Sequence, residues 1–72
     1  MNRPEGLSGR EYKALNFMHR HLKEWDAMPT NADITAELDL SSTAIAFNII
    51  NALCEKGFIE KYAGGRYRFS RD

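Results

Sequence analysis

The side chains best suited to binding another molecule belong to two asparagines and three basic residues. Asn48 and Asn51 lie three residues apart, so in a helix their amides project from one face. A carboxamide can offer one acceptor and one donor to the edge of adenine in the major groove of DNA. Lys61, Arg66 and Arg68 follow along the chain, and such cations contact phosphate or the minor groove. These residues predict nucleic-acid binding.

The remaining reactive side chains form neither a catalytic nor a metal-binding pattern. His19 and His21 lie two residues apart, so their rings point to different sides of a helix, whereas a shared metal ion favours four-residue spacing. Cys54 follows Leu53 in a helical pattern and is predicted to be a small packing residue. The sequence contains no glycine-rich phosphate loop and no nucleophile beside a plausible base. We expect no enzyme activity, no cofactor, no metal and no small-molecule substrate.

Length and composition indicate one small globular domain of balanced charge. The 72 residues include 10 Lys and Arg and 10 Asp and Glu, for a formal net charge of zero. A dedicated nucleic-acid-binding domain is usually basic, so the positions of the basic residues matter more here than the net charge. No apolar run is long enough for a membrane span or a signal peptide, and the single cysteine fits a reducing compartment. We expect a cytoplasmic protein, associated with the nucleoid if it binds DNA, and no membrane partner.

The first predicted helix begins at Ser8. Ser8 and Glu11 match a capping box, in which each side chain binds the backbone N–H of the other residue. Apolar residues then recur at three- and four-residue steps and predict one buried stripe. The stripe consists of Tyr12, Leu15, Met18, Leu22 and Trp25. Arg10 and Lys13 lie on the polar side, where they could add phosphate contacts.

A short second helix is predicted over residues 30–38. Thr30 and Asp33 match another capping box, and the acidic residue also favours the positive end of the helix dipole. The inward residues of this helix are Ala32, Ile34 and Leu38. Leu40 follows in a tight turn, where it can fill the angle between two helices. These features predict the first half of a helix-turn-helix.

A longer third helix is predicted over residues 42–56, and Gly57 ends it as a left-handed cap. Its inward stripe is Ala46, Ile49, Ile50 and Leu53, and Ile45 lies at the boundary. The second helix of a helix-turn-helix is the one that usually enters a groove of DNA. The residues predicted to bind DNA are Ser42, Thr43, Ala44, Phe47, Asn48, Asn51, Lys61, Arg66 and Arg68.

After the third helix the apolar period changes to that of strands. Residues 58–62 and 66–70 are predicted to pair as a hairpin around a turn at 63–65, with Tyr67 and Phe69 on one face. Met28 precedes a proline and therefore favours an extended backbone, which predicts a minimal third strand there.

The predicted fold is α+β and mainly α: a winged helix-turn-helix of three helices and a C-terminal β-hairpin wing. Its predicted parts are an N-terminal arm (1–6), the domain (7–70) and a C-terminal tail (71–72).

The spacing of these features resembles the N-terminal DNA-binding domain of the LexA repressor family. The resemblance extends over residues 7–60 without a gap. It rests on Leu7-Ser8, Arg10, His21-Leu22, Pro29-Thr30, Asp33-Ile34, Leu38, Ser42, Ala52-Leu53, Lys56-Gly57 and Ile59-Glu60. It implies a winged-helix transcriptional repressor domain of bacterial or phage type. The protease and dimerisation domain of that family has no counterpart in these 72 residues, so self-cleavage is not expected.

The resemblance also implies which positions meet bases, and these leave three interpretations open. The base-reading positions of the family fall on Ser42, Ala44, Ile45, Phe47 and Asn48, three of which are apolar. Phe47 could pack against thymine methyl groups as part of a DNA-binding helix. With Ala44 and Ile45 it could instead form a protein interface, as in an inhibitor, an adaptor or a homodimer. Phe47 could also pack under the wing as part of the core.

Overall fold

The computed structural model describes residues 6–62, 64 and 66–70, and it contains three helices followed by two strands. The elements are α1 (Gly9–Trp25), α2 (Asn31–Glu37), α3 (Thr43–Glu55), β1 (Ile59–Tyr62) and β2 (Arg66–Phe69). Every predicted helix and both strands of the predicted hairpin are present, and the predicted winged-helix architecture is confirmed. The predicted arm apart from Gly6, the predicted turn apart from Gly64, and the predicted tail lie outside the described residues.

One hydrophobic core joins the three helices to the hairpin. All four residues of the predicted inward stripe of α3 belong to it, and none of them is more than 6% exposed. The other buried apolar residues are Leu7, Ala14, Leu15, Met18, Ile34 and Ile59. α3 packs against α1, α2 and β1. Because α3 contacts three other elements, its position is determined by the core, while its outward face stays exposed to solvent.

The first two helices begin with the predicted capping boxes. The Ser8 hydroxyl accepts from the Glu11 N–H at 3.1 Å, and the Glu11 carboxylate accepts from the Ser8 N–H at 3.1 Å. Thr30 and Asp33 make the same reciprocal pair at the start of α2, at 3.0 and 3.1 Å. α3 differs, since Ser42 makes no side-chain hydrogen bond to its first turn. The free N–H groups of this first turn are therefore not satisfied by the Ser42 hydroxyl.

The turn of the helix-turn-helix and the end of α3 both require left-handed backbone. Asp39, between α2 and α3, has φ of 54°, and the Leu40 N–H then donates to the Thr35 carbonyl at 2.9 Å. Gly57 has φ of 85°, as predicted, and the next N–H, of Phe58, donates to the Leu53 carbonyl at 3.0 Å. This bond closes the last turn of α3 and directs the chain into β1.

The hairpin pairs β1 with β2 in an antiparallel register from Ile59–Phe69 to Tyr62–Arg66. The predicted third strand near Met28 was wrong, since the sheet of the described residues has two strands and residues 28–30 are irregular. The wing is attached there by a side chain instead. The Tyr67 hydroxyl donates to the carbonyl oxygen of the buried Pro29.

Two expectations about buried residues were also wrong. Trp25 is 66% exposed, because it is the last residue of α1 and the chain turns away at Asp26, which has φ of 56°. Ala32 is exposed as well. The inward side of the short α2 is defined by Ile34 and Leu38, four residues apart, and Ala32 lies about 200° around the helix from Ile34.

The charge on Glu11 links α1 to the end of α3. Lys56 Nζ lies 2.5 Å from Glu11 Oε1 and 2.5 Å from the carbonyl oxygen of Gly6. The hydrogen bond from Lys56, the Ser8 N–H and the positive charge of Lys56 together lower the pKa of Glu11. A carboxyl with a lowered pKa stabilises the fold above its ordinary pKa of 4.5, and that contribution is lost as the pH falls through the lower folded value.

We expect Glu11→Gln to reduce the free energy of unfolding at pH 7 by about 0.5–1 kcal/mol, because the partly exposed ion pair is lost while glutamine retains the capping box. The difference from the unsubstituted protein should shrink as the pH falls below 4.5. Urea unfolding measured from pH 7 to pH 3 checks both points. Glu24→Gln is the matched control, since Glu24 is exposed and forms no ion pair within the described residues. A loss that does not change with pH would contradict the ion-pair explanation.

Candidate nucleic-acid interface

The outward face of α3 begins with a row of exposed residues. Ser42, Thr43, Ala44, Phe47 and Asn48 are exposed, whereas Ile45 and Asn51 are half-buried. The row arises because the inward stripe of α3 packs in the core, which leaves the opposite side of the helix to solvent. The first two turns of α3 therefore present small, aromatic and amide side chains together.

Phe47 is 48% exposed and does not belong to the core. The interpretation that it packs under the wing as a core residue was therefore wrong. It does contact the wing, since Lys61 Nζ lies 5.1 Å from the centroid of its ring. The other two interpretations, a DNA-binding residue and a protein-binding residue, both require an exposed Phe47.

The basic residues of the wing divide between its two faces. Lys61 pairs with Tyr67 across the hairpin, so it lies on the face that packs towards the helices. Its Nζ donates to Asn51 Oδ1 on α3. Two predicted DNA-binding residues, Lys61 and Asn51, are thus bonded to each other, which could not be predicted from their separation in the sequence.

Arg66 and Arg68 lie on the outer face of the wing. Arg68 Nε donates to Glu60 Oε2 at 2.8 Å, and its guanidinium lies 5.0 Å from the ring centroid of Tyr62. Arg66 forms no ion pair among the described residues. Both arginines are exposed. The charge of Arg68 is therefore partly neutralised by Glu60, whereas that of Arg66 is not.

A cleft of about 930 Å³ connects the start of α3 to the wing. Thr43 and Arg66, both predicted as site residues, contribute to its lining, together with Thr30 and Asn31 at the start of α2. Tyr62 also lines it and is 42% exposed. Sequence reasoning did not single out Tyr62, Thr30 or Asn31 as residues of this cleft. The available signal for Tyr62 was an aromatic residue at the end of one predicted strand, across the turn from Arg66 at the start of the next.

The two histidines and the cysteine each contact other residues in the described part of the chain. The Nδ1–H of His21 donates to the Ala27 carbonyl at 2.6 Å, and the ring of His19 stacks on Phe69 with centroids 4.0 Å apart. Cys54 packs against the core, and burial raises the pKa of its thiol. Among the described residues, no three His, Cys, Asp or Glu side chains come together as a metal site, and no helix is long and apolar enough to cross a bilayer.

Comparison with known proteins identifies the architecture that the helices and the wing form. The family model of the LexA DNA-binding domain matches residues 4–67. The chain belongs to this family. The match includes α1, α2, α3, β1 and the start of β2, and it confirms the LexA-like resemblance of the sequence. It is a match to a DNA-binding domain.

Several curated LexA repressors are similar to this chain. The LexA repressor of Mannheimia succiniciproducens is 32% identical over 60 residues, which cover 83% of the chain and 28% of the repressor. The LexA repressor of Bartonella quintana is 34% identical over 55 residues, covering 76% and 23% respectively. That of Haemophilus influenzae is 36% identical over 58 residues, covering 81% and 28%. The chain therefore spans about a quarter of the length of these LexA relatives.

Proposed function

We propose that this member of the LexA DNA-binding domain family is a small cytoplasmic transcriptional regulator that binds duplex DNA. In this proposal α3 enters the major groove and the basic wing contacts the backbone or the minor groove. The observation that carries it is the cleft between α3 and the wing, because it joins exposed Thr43 on the helix to exposed Arg66 on the hairpin. A groove-binding helix and a phosphate-binding cation need this proximity if they are to meet one duplex.

The start of α3 supports a phosphate contact near the same cleft. Ser42 is exposed, and its hydroxyl does not cap the helix. Backbone N–H groups at a helix N-terminus and a free hydroxyl favour an anion. Arg10 and Lys13 at the start of α1 are exposed, and the proposal includes them as flanking phosphate contacts.

The charge balance predicts modest affinity for a single copy. The formal net charge is zero, and Lys61 and Arg68 are already engaged within the molecule. High affinity would then require two copies on half-sites about one helical turn apart. A homodimer bound to a two-fold symmetric site is part of the proposal.

The double variant Arg66→Ala/Arg68→Ala tests the proposal. Binding to a pool of random duplex DNA is measured by fluorescence anisotropy at several salt concentrations. We expect weaker binding and a slope of log K against log salt that is smaller by about one unit for each phosphate that the variant no longer neutralises. Arg20→Ala/Lys23→Ala removes the same charge from α1 and is the matched control. Equal effects of the two double variants would contradict a role for the wing, and no binding by the unsubstituted protein at low salt would contradict DNA binding.

Protein binding through α3 is a second candidate function, favoured by the 48% exposure of Phe47 beside the exposed Ala44. Together with the half-buried Ile45 these residues form an apolar patch of the kind found at interface centres. If a protein is the partner, Phe47→Ala should weaken the complex by about 2 kcal/mol or more, as aromatic anchors do. The wing double variant should then leave the complex unchanged, which is the opposite of the result expected for DNA.

A further inference from the structure

Lys61 connects the wing to two residues on the outward side of α3. Its Nζ donates to Asn51 Oδ1 and lies 5.1 Å from the ring centroid of Phe47. An ammonium group has three donors and no acceptor, so the amide atom that it contacts must be the oxygen. The bond therefore orients the amide of Asn51, with its oxygen turned towards the wing.

This orientation leaves Asn51 poorly suited to adenine. The major-groove edge of adenine presents a donor, the N6 amino group, and an acceptor, N7, so a complementary amide must present an oxygen and an NH2 group side by side. The Asn51 oxygen is occupied by a positively charged donor that would repel the N6 amino group, and the residue is half-buried.

Asn48 has the properties that Asn51 lacks. It is exposed one turn earlier on α3, and its amide forms no hydrogen bond among the residues described. Both its acceptor and its donors are available. Phe47 precedes it directly, and the cation above its ring limits the freedom of the aromatic side chain.

Resting on the proposed DNA-binding function, we propose that Lys61 is a positioning residue that sets base specificity. It withdraws Asn51 from the groove and holds Phe47 in place. Asn48 then contacts an adenine, and Phe47 packs on the methyl group of a neighbouring thymine. Lys61 itself makes no phosphate contact in this arrangement, in contrast to Arg66.

The experiment begins with a duplex selected from a random pool by the unsubstituted protein. Each base pair is replaced in turn, and uracil replaces each thymine to remove the methyl group alone. Replacing the A·T pair contacted by Asn48 should weaken binding about 10- to 100-fold. Asn48→Ala should lose this discrimination, whereas Asn51→Ala should retain it. Phe47→Ala should lose the penalty for uracil.

Lys61→Met separates positioning from direct contact, because methionine retains an unbranched stem and removes the donor. We expect Lys61→Met to alter base preference and to leave the salt slope unchanged. Adding Asn51→Ala to this variant should reverse the change in base preference. Lys61→Arg should restore the original preference. Circular dichroism verifies that each variant folds, including Asn51→Ala, which changes a half-buried residue, whereas Lys61 and Asn48 are exposed.

Four results would overturn the inference. The first two are loss of discrimination in Asn51→Ala and retention of discrimination in Asn48→Ala. The other two are an unchanged base preference in Lys61→Met and a salt slope that falls by about one unit in that variant, which would assign Lys61 to a phosphate. In each case the unsubstituted protein still binds DNA, so the proposed function stands. Absence of binding by the unsubstituted protein would overturn the proposed function and this inference together.

Discussion

Leu53→Ala is expected to lower the free energy of unfolding by about 2–5 kcal/mol. Leu53 is fully buried on α3, the helix that packs against α1, α2 and β1. Truncating its side chain removes apolar burial and leaves a cavity at a place where these elements cannot all close together. A domain of this size has a total stability of roughly 4–10 kcal/mol, so the substitution would remove a large part of it.

Urea unfolding followed by circular dichroism measures the loss. The control is Phe47→Ala on the same helix, which removes a larger side chain from a position that is 48% exposed. We expect that control to cost less than about 1 kcal/mol, because little apolar area is returned to water and alanine favours helix. Similar losses for the two variants would show that Phe47 is packed as tightly as Leu53, and both candidate functions of the outward face would then have to be abandoned.

Tyr67→Phe is expected to cost about 1–3 kcal/mol, because it leaves a buried carbonyl without its partner. The Tyr67 hydroxyl donates to the carbonyl oxygen of Pro29, which is less than 2% exposed. Phenylalanine retains the ring and its packing, so the substitution isolates the hydrogen bond. The same bond ties the wing to the segment before α2. We therefore also expect weaker DNA binding, since the wing would lose one of its attachments to the helical part of the domain.

The pH dependence of the free energy of unfolding gives an independent check on the burial of Tyr67. Burial, the first cause, together with the negative charge of Asp33, raises the pKa of its phenol above the ordinary value of 10.0. A raised pKa stabilises the fold below pH 10, and this contribution is lost as the pH rises through the folded pKa. The unsubstituted protein should lose stability above pH 10 more steeply than Tyr67→Phe does.

Tyr62→Phe is the matched control for both measurements. Tyr62 lies on the outer face of the same hairpin, is 42% exposed, and its hydroxyl forms no hydrogen bond among the described residues. We expect a change below about 0.5 kcal/mol. If Tyr62→Phe and Tyr67→Phe behave alike at pH 7 and above pH 10, the bond to Pro29 does not anchor the wing.

The two largest predicted losses of stability, for Leu53→Ala and Tyr67→Phe, both concern residues that position α3 and the wing. Leu53 fixes α3 from inside the core, and Tyr67 fixes the wing beside it. Neither residue lies among those predicted to contact DNA. Substitutions at the face itself, such as Asn48→Ala, are expected to change binding with little effect on folding. Measuring both stability and DNA affinity for these variants distinguishes residues that position the outward face from residues that contact DNA.

The sequence by itself determined the features that depend on neighbours within about four residues. The capping boxes at Ser8 and Thr30, the inward stripe of α3, the left-handed Gly57 and the alternation of Tyr67 with Arg66 were all predicted and are present. Caps, helical stripes and strand alternation are set by local geometry, so their residues are close in sequence. Their spacing also sufficed for the LexA-like family, which the family match confirms.

Only the tertiary structure decided which distant side chains meet. The bond from Lys61 to Asn51, the attachment of Tyr67 to Pro29 instead of a third strand, and the exposure of Trp25 depend on how α1, α3 and the hairpin cross. Local patterns contain no information on those crossings, because each pattern is compatible with several packing arrangements. Ten basic and ten acidic residues could be counted from the sequence, but which wing cations are engaged by other side chains is a property of the folded chain.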